Sequence, residues 1–75
     1  MGRLYMYTGY SKSELQAEIT DIGKRYAAGY TNDAQRKIQI AHCVSELRKL
    51  DESTEADKVQ KAHGVSDSEV KAVTR

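Results

Sequence analysis

Residues 32–50 read NDAQRKIQIAHCVSELRKL, and the fold turns on how that stretch is read. Thr31 or Asn32 is a good helix N-cap, and Asp33 suits a first turn. The stretch predicts a helix from about residue 32 to residue 50. Its apolar residues are Ala34, Ile38, Ile40, Ala41, Cys43, Val44, Leu47 and Leu50. Projected at about 100° per residue, they cover an arc of roughly 240°. Ile38 and Ala41 point to one side, and Ile40, Val44 and Leu47 to another. One neighbouring helix cannot cover so wide a face. This helix is therefore expected to be central, with a first helix on one side and a third helix or a second copy of the chain on the other.

The preceding segment supplies the first neighbour. In GYSKSELQA, residues 9–17, Ser11 and Glu14 have capping-box spacing, and Tyr10 and Leu15 occupy hydrophobic-staple positions. Leu15, Ile19, Ile22 and Tyr26 follow at helical spacing and make one narrow seam. Gly29 suits the left-handed residue past a helix end. The expectation is a helix over 11–28 and an antiparallel hairpin over 11–50.

Beyond residue 50, Asp51-Glu52-Ser53-Thr54-Glu55 reads as a polar break or a solvated turn. Thr54 with Asp57 could cap a helix over 55–63, with Ala56, Val59 and Ala62 as its weak apolar stripe. Gly64 ends it. The stretch GVSDSEVKA, residues 64–72, repeats the pattern of residues 9–17. Ser66 and Glu69 form a second capping box, Val65 and Val70 a second staple, and a short helix over 67–73 follows. At the other end, Arg3-Leu4-Tyr5-Met6-Tyr7-Thr8 alternates and is rich in strand formers. It reads as a short extended arm within residues 1–10 or as a frayed terminus.

The segment VQKAHGVSDSEVKAV, residues 59–73, resembles the turn of a helix-turn-helix DNA-binding motif. The likeness rests on Gly64, Val65, Ser66 and Val70: a glycine turn, a capping residue, and two aliphatics that fill the angle between helices. It covers about a quarter of the chain. The resemblance implies DNA contacts from Ser66, Asp67, Ser68 and Lys71, with Arg75 behind them. The sequence departs from the family's pattern at three places. Gln60 stands where a small residue is preferred, His63 where an apolar one is usual, and Asp67 and Glu69 put acids at the leading edge of the reading helix.

Composition narrows the rest. The chain has 75 residues, a formal net charge of +1, one Cys, no Pro, no Phe, no Trp and five Tyr. That size fits one small domain with a thin core. Mixed charge argues against a polybasic nucleic-acid tail and an acidic DNA mimic. Six cations, Lys24, Arg25, Arg36, Lys37, Arg48 and Lys49, read mainly as a solvated face and as complements to helix C-termini. The lone Cys43 cannot form an internal disulfide, and no long apolar run or signal-peptide core is present, so a cytoplasmic setting is expected. His42 and Cys43 diverge on a helix and cannot chelate together, and no CxxC or HxxxH spacing exists. No cofactor, metal or catalytic constellation is expected.

These readings combine into an all-α protein: a helical hairpin, one or two short C-terminal helices within 54–75, and a short extended N-terminus. The expected function is non-enzymatic protein binding, as a modulator, inhibitor or adaptor of the size typical of phage or mobile-element accessory proteins. Arg3, Tyr5, Met6, Tyr7 and Tyr10 would form the partner surface, because Tyr, Met and Arg are enriched in interfaces. Ile40, Val44 and Leu47 would carry self-association into a homo-oligomer. The alternative is a small DNA-binding regulator that uses residues 59–75.

Overall fold

A computed structural model describes residues 7–74, with side chains to residue 73. The chain is all-helical over these residues. Its elements are α1 (Lys12–Ala27), α2 (Asp33–Lys49), α3 (Ser53–His63) and α4 (Asp67–Thr74). Each boundary has a local cause. Before α1, the Ser11 hydroxyl accepts from the Glu14 amide at 3.2 Å, and the Glu14 carboxylate accepts from the Ser11 amide at 2.8 Å. Before α4, Ser66 and Glu69 repeat those bonds at 3.2 and 2.8 Å. Asn32 rather than Thr31 caps α2, and Gln35 closes its box.

The helix ends are as specific. Past α1, Gly29 takes φ 86°, and the Tyr30 amide reaches back to the Arg25 carbonyl at 2.9 Å. Gly64 ends α3 with φ 66° and ψ 34°, a left-handed conformation that suits a residue without Cβ. After α2 the same task falls to Asp51, at φ 61°, with the Glu52 amide donating to the Leu47 carbonyl at 2.9 Å. Asp tolerates this region better than most residues.

Two expected elements change. α3 begins at Ser53, with Glu52 as N-cap and no side-chain bond at the cap, so Thr54 lies inside the helix instead of capping it. Glu52 instead pairs with Lys12 at 3.1 Å, tying the start of α1 to the start of α3. The expected extended arm lies mostly outside the described residues. Within them, Tyr7 and Thr8 belong to a turn closed by the Tyr10 amide on the Tyr7 carbonyl at 3.1 Å. Tyr7 sits there at φ 65°, a placement that costs a non-Gly residue about 1–3 kcal/mol.

α2 is central: α1, α3 and α4 all pack on it. Leu15 and Ile22 of α1 meet Ile40, Ala41, Cys43, Val44 and Leu47 of α2, with Ala56, Val59, Val65 and Val70 completing the cluster. Tyr7, Ile19 and Val73 pack at its edge. Both valines of the second staple are thus buried. The α1 seam stops at Ile22, because Tyr26 is half-exposed and carries the Arg36 guanidinium over its ring at 4.8 Å. On α3, Ala62 faces solvent and Gln60 is buried in its place.

Candidate functional site: an apolar groove between the second and fourth helices

Of the residues expected to bind a partner or a second copy, the described ones are mostly turned into the fold. Ile40, Val44 and Leu47 are each 0 % exposed. They are the chain's own core, so the face assigned to self-association is already covered by α1, α3 and α4. Arg3, Tyr5 and Met6 lie outside the described residues. Tyr7 is turned inward: its hydroxyl donates to Glu18 Oε2 at 3.1 Å. Its ring meets that of Tyr10 edge-on at 5.4 Å. Burial, with Cys43 and Glu18 nearby, pushes the Tyr7 phenol well above its ordinary range. Tyr10 is the more open of the pair.

Tyr26, Tyr30 and Leu50 are exposed singly, and a further apolar surface lies on the other side of α2. Ala34 and Ile38 of α2, with the buried Ala41 at the floor, face Ala72 and Val73 of α4 across a groove of about 540 Å³. Its large aliphatic side chain, Ile38, is 51 % exposed. Asp33, Lys37 and Glu69 also line it. The Asp33 carboxyl is held below its usual range, chiefly by a bond from Arg36 at 2.7 Å. Glu69 is held low by the Ser66 amide and hydroxyl of the α4 cap. Both are therefore ionised at neutral pH. Lys37 reaches Asp33 at 3.9 Å.

The α3–α4 corner has the local geometry that the helix-turn-helix resemblance implies: left-handed Gly64, buried Val65 and Val70, and capping Ser66. The departures acquire structural roles. Gln60 is a buried polar hub. Its amide donates to the Val65 carbonyl at 3.2 Å and to Asp67 at 3.0 Å, and its oxygen accepts from Arg48. His63 is held by Arg36, which donates from one nitrogen to Nδ1 at 3.2 Å and to the His63 carbonyl at 3.1 Å. Of the DNA-contact candidates, Ser66, Asp67, Ser68 and Lys71 are exposed, and Arg75 lies outside the described residues. Asp67 is engaged with Gln60. Over 53–74 the acids Glu55, Asp57, Asp67 and Glu69 outnumber the three lysines, Lys58, Lys61 and Lys71, a poor match to phosphates.

Five of the six cations singled out on α1 and α2, all but Lys24, are seen in ion pairs. Arg25 bonds Glu18 and Asp21, Arg36 and Lys37 bond Asp33, Arg48 bonds Asp57, and Lys49 bonds Glu46. Cys43 is buried, and that burial first, with Glu18 and Glu46 behind it, pushes its thiol up to about 12. Such a thiol packs as a small hydrophobe. Among the described residues no group of three or more His, Cys, Asp or Glu is placed to hold a metal ion, and no helix is long and apolar enough to cross a membrane.

Compared with known protein families, with curated proteins and with solved structures, the chain shows no match.

Sequence reasoning missed the groove for one reason. It separated Ile38 and Ala41 from Ile40, Val44 and Leu47 on α2, then assigned the buried Ile40, Val44 and Leu47 to the outside, where Ile38 lies. The usable signal was sidedness: Ala34, Ile38 and Ala41 follow the spacing of one face, and Ala72 and Val73 lie beyond the buried Val70 of a short helix.

Proposed function

We propose that this chain is a non-enzymatic protein-binding module, a small modulator or adaptor, that receives an amphipathic helix of a partner protein in the groove between α2 and α4. The observation that carries the reading is the half-exposed Ile38 set in that apolar groove. A cleft between two helices suits an incoming helix, whose anchors at successive turns lie along it. Charge defines the partner further. Asp33 is already paired with Arg36 and Lys37, so the lining charge open to a partner is the ionised Glu69 carboxylate. The fitting helix carries Lys or Arg beside its apolar anchors. The scaffold is an antiparallel α1–α2 hairpin, the arrangement short helix connections favour.

A photo-reactive residue introduced at position 38 or 72, in the native cell, is expected to cross-link a distinct protein, whereas one at exposed Lys58 is not. Ile38→Asp is expected to weaken capture of that protein by roughly 30-fold or more, the about 2 kcal/mol typical of an interface anchor. Cross-links only between copies of this chain, or capture unchanged in Ile38→Asp, overturn the reading.

A second reading is favoured by one observation, the α3–α4 corner with its left-handed Gly64 between buried Val59 and Val65. On that reading the chain is a small DNA-binding regulator. Duplex DNA at low salt would then shift the amides of Ser66, Ser68 and Lys71, with a steep salt dependence. The acids at the head of α4 favour the opposite result, no shift.

A further inference from the structure

We propose that His63 is a proton-sensitive latch: unprotonated, it accepts a hydrogen bond from Arg36 and lets that side chain clasp the end of α3, and protonated, it releases the α3–α4 corner. The geometry fixes the chemistry. A guanidinium has donors only. Arg36 lies 3.2 Å from His63 Nδ1, so Nδ1 must be the acceptor and any ring proton sits on Nε2. Arg36 also donates to the His63 carbonyl at 3.1 Å, one of the carbonyls a helix end leaves without an internal partner. One side chain thus holds both the ring and the backbone at the residue before Gly64. A proton on Nδ1 removes the acceptor and sets a second positive charge against the guanidinium.

The surroundings do not offset that charge. From α2 stand Arg36, Lys37 and Asp33, and Asp33 is already bonded to Arg36. From α4 comes Glu69, which acts on Asp33 and Lys37 and is bonded at its own cap. α1 contributes the Tyr26 ring under the guanidinium. Consistently, burial and then Arg36 hold His63 below its ordinary range. A lowered folded-state value means that the unfolded chain, and equally the released corner, binds the proton more readily. The stabilisation is then complete above about pH 6.5 and is lost as pH falls below it towards the folded-state value. His42 is also held low by burial, so the experiment must separate the two.

The measurement is amide hydrogen exchange of the whole chain, corrected for intrinsic rates, between pH 7.5 and 5.5. Opening of the Gly64, Val65 and Val70 amides is expected to rise by up to about tenfold at pH 5.5, while Leu15 and Ile22 of α1 change less. His63→Gln keeps an acceptor for Arg36 without a titrating ring and is expected to flatten the response. His42→Gln is expected to preserve it. Nitrogen chemical shifts of the unmodified chain provide a readout independent of any variant, and they should show Nδ1 bare at neutral pH. A ring protonated at Nδ1 at pH 7.5, a corner response unchanged in His63→Gln, or equal opening of α1 and the corner overturns the latch. The latch stands independently of the docking reading.

Discussion

Val44→Asp is expected to unfold the chain rather than to separate two copies of it. Val44 is 0 % exposed at the centre of α2, within the cluster that joins α1, α3 and the α3–α4 corner. A carboxylate there has no cation to pair with, since the described cations of α2 are engaged with acids at its surface. Leaving a charge buried and unpaired costs about 3–5 kcal/mol, and the lost packing adds to it. A domain of this length has about 4–11 kcal/mol to lose. Far-ultraviolet circular dichroism with urea titration should therefore show loss of the cooperative transition or a greatly lowered midpoint. Ile38→Asp is the matched control. Ile38 is half-exposed, so its carboxylate stays hydrated and stability changes by about 1 kcal/mol or less. If Val44→Asp is instead a folded monomer beside an oligomeric parent, the core assignment of this face is wrong.

That contrast locates how much of the fold was legible in the sequence. Helix existence and ends followed from local chemistry, because a Ser-x-x-Glu pair or a left-handed glycine acts on the residues beside it. Both capping boxes, the turns at Gly29 and Gly64, and the centrality of α2 were readable in this way. What sequence could not set was which neighbour fills each side of α2. A face of roughly 240° needs more than one partner, but the arc alone does not distinguish α3 and α4 from a second copy. Polar residues were hardest to read. Gln60 and Arg36 look like surface residues by type and His63 is intermediate, yet their partners lie on other helices or across a turn. Asp51 was read as part of a polar break, and nothing in its type announced a left-handed helix end. The same limit applied to the groove. Its α2 wall was visible as a side of the helix, but α4 lies across the Gly64 corner, and no spacing rule connects residue 38 to residue 73.

Gln60→Ala is expected to destabilise the chain by about 2 kcal/mol and to lower its melting temperature by roughly 10 °C. The helix-turn-helix resemblance implies the opposite. If the corner were built on that pattern, a small residue at position 60 would relieve crowding where the helices cross, and the change would be neutral or favourable. Here the side chain is 9 % exposed and does three things at once. It donates to the Val65 carbonyl, which otherwise loses its donor inside the corner; it donates to Asp67 at the first residue of α4; and it accepts from Arg48 of α2. Truncation removes all three and leaves a void beside Val65. Two further substitutions separate packing from bonding. Gln60→Leu fills the space without the bonds and is expected to recover part of the loss. Gln60→Glu keeps an acceptor for Arg48 but replaces the donating amide with a charge facing Asp67, and it is expected to be as harmful as Ala at neutral pH. The loss with Glu should shrink as pH falls through the carboxylate range, because a protonated carboxyl again supplies a donor and removes the repulsion. If Ala is neutral and Glu shows no such pH dependence, Gln60 does not organise the corner, and the crossing tolerates the small residue that the resemblance implies.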